Sequence, residues 1–146
     1  MAEKRACGKQ SFCLEDPPVI TAWASIAGKK ESEGPLSNTF DVTEADAYFG
    51  QKTWEQAEKR MQQMALEQLS MKAKMQFGDF GLVFSGDLLN QCIGSSFSLR
   101  NTGLPHLGLY GACSTMAESL LMASMAVGGG FSDRVVAMTS SHFASS

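Results

Sequence analysis

No stretch of this sequence approaches the roughly 18 consecutive apolar residues that a membrane-crossing helix needs. The N-terminal residues Met1 to Phe12 carry Lys4, Arg5 and Lys9 but no apolar core behind them, which excludes a secretory signal. Histidine is scarce, with two in 146 residues, and the four cysteines (Cys7, Cys13, Cys92 and Cys113) form no CxxC pair and have no accompanying histidine spacing. A zinc site is therefore not expected, and free thiols in a reducing compartment are. Basic residues are not in excess: 12 Lys and Arg stand against 15 Asp and Glu, a formal charge of −3, so nucleic acid is not expected as a partner. The glycine run Gly128 to Gly130 follows a helical stretch instead of preceding one, so it reads as a stop signal and not as a phosphate cradle, and no dinucleotide fingerprint occurs. No metal and no cofactor are expected. The chain reads as cytosolic, or as bound to a membrane only from its surface.

What remains is ordinary for one globular domain: 44% hydrophobic and 18% charged residues, enough to bury about two-thirds of the unfolded surface. Residues 1–16 are polar, without apolar period, and are expected to form a poorly ordered leader or an edge extension; the domain proper runs over 17–146. Val19 to Ala27 reads as a buried first strand stopped by Gly28. Lys29 to Gly50, with Gly34-Pro35 and Ser37-Asn38, has neither helical nor strand period and is expected to be a long surface excursion. Thr53 is placed to cap a helix, with Gln56 three residues on completing a capping box and Glu55 favouring the positive end. Trp54, Ala57, Met61, Met64, Ala65 and Leu69 then share one face through about Lys74, a stripe read as core packing. Asp79 to Ser85 predicts a strand closed by Gly86-Asp87, Asn90 to Thr102 a helix ended by Gly103, and Leu104 to Gly108 a strand. Met116 to Val127 predicts an apolar helix, and Arg134 to Thr139 a last strand. Strands alternating with helices imply an α/β fold whose sheet is mainly parallel with helices on both faces.

One constellation carries chemistry. In Leu109-Tyr110-Gly111-Ala112-Cys113-Ser114-Thr115 a strand enters a small-residue turn and a cysteine sits where the next helix begins. The small residues permit a sharp turn and close approach, and the helix N-terminus favours thiolate. A buried structural cysteine at a strand-helix junction fits the same residues. A nucleophile would also need a base and oxyanion donors. His106 stands about seven residues before Cys113, roughly 20 Å if extended, and makes a poor partner. His142 lies past the carboxyl end of the last strand, the edge where ligands gather in open α/β sheets, though a histidine in a Ser-Ser-His loop also serves as a surface or capping residue. Ser85, Asp87 and Asn90, with Ser140 and Ser141, stand at carboxyl strand ends and share that crevice if the strands are parallel; Asp87 and Asn90 equally suit capping of the following helix.

Taken together, several blocks resemble a known family: Gly34-Pro35-Leu36 with Phe40-Asp41, Trp54-Glu55-Gln56-Ala57-Glu58-Lys59, Gly86-Asp87-Leu88-Leu89-Asn90-Gln91, Gly108 to Thr115, Gly130 to Val135, and Thr139-Ser140-Ser141-His142. Over residues 17–146 the chain resembles the stage V sporulation protein AD family, within the wider thiolase and ketoacyl-synthase superfamily that Gly-Ala-Cys-Ser-Thr alone would indicate. The resemblance implies a thiolase-like βαβαβ half, dimerisation through this half, and Cys113 at the superfamily's nucleophile position. It implies a role in moving dipicolinic acid into the developing spore, in the forespore cytoplasm or at the face of the inner spore membrane, beside membrane proteins of the same operon. The superfamily's second half, which supplies its other catalytic residues, is expected to be absent from a chain of this length. Binding without catalysis is therefore expected, with Cys113, Ser114, Thr115, Asp87, Asn90, Ser141 and His142 as the ligand-binding candidates.

Overall fold

The computed structural model describes residues 6–89 and 91–142. Its centre is a three-stranded parallel sheet in the order β6-β5-β7, made of β5 (Leu82–Gly86), β6 (His106–Gly108) and β7 (Val135–Thr139). Val83 of β5 is opposite His106 on one side and Val136 on the other, and Ser85 is opposite Gly108 and Met138. Alternation along these strands sends Val83, Val136 and Met138 to one face, where they pack with Leu66 of α2 (Trp54–Ala73) and Leu99 of α3 (Ile93–Leu99). Gly86 points to the opposite face, where Thr115 opens α4 (Thr115–Gly128). The fold is thus α/β with parallel strands and helices on both faces, as the alternation of strand and helix patterns implied.

The long helix forms where its caps place it. Thr53 Oγ1 accepts a hydrogen bond from the Gln56 amide (3.3 Å), and Lys74 ends the helix in the left-handed conformation at φ 56. The capping box is offset by one residue, because Gln56 Oε1 accepts from the Lys52 amide at 3.3 Å and not from Thr53. The expected core stripe is also rotated. The residues of α2 that are fully buried are Ala57, Glu58, Gln62 and Leu66, whereas Met61, Met64, Ala65 and Leu69 are half-buried. Two of those four positions are polar, so the face of α2 turned inward is not the face its apolar residues define.

Other expectations need correction. The first strand shrinks to β3 (Ile26–Ala27), paired in parallel with β4 (Val42–Thr43). Residues 18–24 face β7 across an open cavity of about 300 Å³ without joining its ladder, and Val19, Ile20 and Trp23 stay largely exposed. The excursion from Lys29 to Gly50 is not structureless: it holds the short helix α1 (Lys29–Ser32), a 3₁₀ turn at Ser37–Thr39 and β4. Asp41 ties it to the helix behind, since Lys72 Nζ lies 2.9 Å from Asp41 Oδ1 and 5.2 Å from the centre of the Trp23 ring. Within the polar leader, β1 (Ala6–Cys7) and β2 (Ser11–Phe12) form an antiparallel hairpin, closed by a Cys7–Cys13 disulfide. The free-thiol expectation holds for Cys92 and Cys113 and fails for this pair, whose positions across the hairpin bring the sulfurs together. Among the described residues no helix is long and apolar enough to cross a membrane.

Candidate functional site

Parallel pairing puts the carboxyl ends of β5, β6 and β7 on one edge of the sheet, and the turns that follow them build the site. After β6 the chain passes Gly111 and Ala112, the latter at φ 51, into a 3₁₀ turn over Ala112–Ser114 and then α4. A positive φ at alanine is uncommon. It turns the backbone so that Cys113 is exposed at the entrance of α4. A glycine is demanded at the end of β5, since a Cβ at Gly86 would run into the Leu109 carbonyl and come within 2.7 Å of Thr115 Cγ2.

Cys113 borders a cavity of about 450 Å³. Its polar lining is Ser25, Gln62, Thr139, Ser140 and Ser141, and Met61, Leu88 and Met116 supply apolar wall. Of the expected ligand-binding residues, the structure thus brings Cys113 and Ser141 together. It does not bring the others with them. Ser114 Oγ donates to the Gly111 carbonyl (2.8 Å) and to Glu118 Oε1 (2.5 Å), which fastens the turn to α4. Thr115 is buried against Gly86, and its Oγ1 has no hydrogen-bond partner among the described residues. Asp87 is buried and works as a cap: Oδ2 accepts from the Ser95 amide (2.7 Å) and hydroxyl (2.6 Å), and Oδ1 from the Leu89 amide (3.0 Å). Asn90 lies outside the described residues.

The two histidines are held elsewhere. His106 Nε2 shares a 2.9 Å hydrogen bond with Ser85 Oγ, and burial is the main cause that pushes its pKa below the usual value. His142 is buried, donates from Nε2 to the Ala47 carbonyl at 2.8 Å, and lies tilted against Trp54, which itself stacks on Tyr48. It lines a second cavity, adjoining the first at Ser141, instead of facing Cys113. The other free thiol, Cys92, is buried and donates to the Leu109 carbonyl (3.0 Å), and desolvation raises its pKa.

Sequence reasoning missed the polar network beneath the cavity. Ser140 Oγ donates to Glu58 Oε1 (2.7 Å) and accepts from Gln62 Nε2 (2.7 Å). The same Nε2 donates to Ser95 Oγ (3.1 Å), and Ser98 Oγ donates to Gln62 Oε1 (2.8 Å). With Asp87 accepting from Ser95, hydrogen bonds run from Glu58 of α2 through the end of β7 and into α3. Glu58, Gln62, Ser95 and Asp87 are each at most 1% exposed. The signal was available: Glu58 and Gln62 stand four apart, on the same face as Leu66, and Ser95 and Ser98 stand three apart on the small-residue helix. Read as a Met-rich core stripe, α2 hid it. Among the described residues no cluster of His, Cys, Asp and Glu is arranged to hold a metal ion.

The fold and this edge define a class: a parallel α/β protein with a hydroxyl-rich cavity at the carboxyl ends of its strands, beside a cysteine at a helix entrance. Residues 8–146 match the family model for stage V sporulation protein AD. The chain is 38% identical over 135 residues to stage V sporulation protein AD of Bacillus subtilis (strain 168), an alignment that covers 92% of this chain and 40% of that protein. The chain therefore belongs to the stage V sporulation protein AD family and spans about two-fifths of the length of that relative.

Proposed function

We propose that this sporulation protein binds dipicolinic acid at the carboxyl edge of its sheet and supports its uptake into the developing spore, as a binding component and not as an acyl-transfer enzyme. The observation that carries the reading is the cavity at Cys113: its lining offers hydroxyls from Ser25, Thr139, Ser140 and Ser141 and the Gln62 amide, together with apolar wall. Flat polar ligands are held in clefts of that composition. Neither histidine favours the enzyme. His106 is engaged by Ser85, and Nε2 of His142 by the Ala47 carbonyl, so neither stands as general base to the Cys113 thiol. The thiolase-like architecture, a dimer formed through this half, forespore location and company with membrane proteins of the same operon belong to the same reading.

Acyl transfer through Cys113 is the second reading, favoured by one feature: an exposed thiol at the entrance of a 14-residue helix. Cys113→Ala separates the two. Under the binding reading neither the parent protein nor the variant turns over acyl-CoA, and the variant changes dipicolinate affinity measured by equilibrium dialysis. Turnover of acyl-CoA by the parent that vanishes in Cys113→Ala would overturn it.

A further inference from the structure

The cavity that adjoins the Cys113 cavity, about 300 Å³ in volume, shares Ile26, Met61 and Ser141 with it but differs in charge. Lys29 and Lys30 of α1 stand on its wall with Glu31, two cations to one carboxylate, whereas the described lining of the Cys113 cavity contains no lysine or arginine. A ligand with two carboxylates loses strongly held water when it enters a cleft, and hydroxyls alone compensate this poorly, so at least one carboxylate needs a cation. Of the described linings of these two adjoining cavities, only this wall carries lysine.

A second, independent feature marks the same place. Phe49 forms part of this wall, 6% exposed, and its backbone sits at φ 51, an outlier for an aromatic residue. The loop around it holds that conformation. Asp46 Oδ1 accepts from the Tyr48 amide (3.0 Å), Oδ2 accepts from the Gly50 amide (2.8 Å), and the Phe49 amide donates to the Asp46 carbonyl (3.0 Å). The neighbouring residues of the loop fix His142 in the same lining: the Ala47 carbonyl holds its ring, and Tyr48 stacks at 3.8 Å between ring centres on Trp54, which lies against His142. The Phe49 ring lies by Gly28, where a Cβ would be only 3.8 Å from it, and Phe40 adds a second aromatic wall.

We propose that this lysine-bearing cavity is the subsite for the ring and one carboxylate of a planar aromatic dicarboxylate, the other carboxylate passing Ser141 into the Cys113 cavity. The proposal rests on the reading of the chain as a dipicolinate binder. It assigns the carboxylate to Lys29 and Lys30, the ring to Phe40 and Phe49, and the junction to Ser141.

Equilibrium dialysis of dipicolinate against the purified protein tests it. Lys29→Glu with Lys30→Glu is expected to weaken binding at least tenfold and Lys9→Glu, on the hairpin, less than twofold. Lys29→Met with Lys30→Met, which keeps the aliphatic stems, is expected to lose at least tenfold also, so disturbance of α1 by the reversed charges cannot account for the result. Pyridine-2-carboxylate, with one carboxylate, is expected to bind the parent at least tenfold more weakly than dipicolinate. If both lysine pairs bind dipicolinate within twofold of the parent, the subsite is wrong while the binding reading stands. If the parent itself shows no saturable binding, both fall.

Discussion

Single residues show where the fold is tight and where it is wasteful. Thr115 buries a hydroxyl with no partner among the described residues, a cost that a methyl in its place would remove. Thr115→Val is expected to raise stability by about 1 kcal/mol in a urea melt; a loss of stability would mean that Oγ1 is in fact engaged. Gly86 is the reverse case, since the Leu109 carbonyl and Thr115 Cγ2 occupy the space of a side chain. Gly86→Ala is expected to cost about 3 kcal/mol, the upper range for overpacking, and to disturb the Cys113 turn through Leu109. His106 gives a pH dependence with a definite sign. Its folded pKa lies below the ordinary 6.5 because burial disfavours the charged ring, so on acidification the unfolded chain takes up the proton first. Its contribution to stability is complete above that value, falls as the pH drops below it, and levels off once the folded ring also protonates. In His106→Gln that part of the slope of stability against pH should disappear.

Among the elements, α2 is the most instructive. Its existence and limits were legible from Thr53, Gln56 and the apolar spacing, because a cap and a period are local properties of the chain. Its buried face was not, since Glu58 and Gln62 turn inward only because Ser140, Ser95 and Ser98 arrive from distant parts of the sequence to satisfy them. Similar reasoning separates β5, β6, β7 and α4, which were found, from the first strand expected over Val19 to Ala27: residues 19–25 have strand composition, but a ladder requires a partner at hydrogen-bonding distance, and that depends on the whole sheet. At the site, Cys113 and Ser141 could be placed because parallel strands bring successive carboxyl ends to one edge. The lysine wall and the Asp46 loop were hidden in a stretch without period, where side-chain acceptance of amides, not apolar spacing, sets the structure. Ser140→Ala would remove a donor to Glu58 and one of the two acceptors for Gln62 Nε2, and should cost about 2–3 kcal/mol. A cost below about 0.5 kcal/mol would show that water replaces the hydroxyl.

At the scale of the molecule, an exposed apolar surface lies along α4 and just beyond it. Met116, Leu121 and Met125 of that helix are exposed, and Phe131 is 85% exposed. Surfaces of this kind associate. Sedimentation of this chain is therefore expected to show dimers or larger species at micromolar concentration, and replacing Leu121 and Met125 by Glu should shift it to monomer; a soluble monomer at the same concentration would contradict the expectation. The dipicolinate reading places the ligand at the carboxyl edge of the sheet, which meets that surface at Met116. An amide chemical-shift map recorded during titration with dipicolinate tests this most directly. The account predicts saturable shifts gathered at residues 26–30, 47–50, 113 and 139–142. Saturable shifts elsewhere, or none at all, would contradict it.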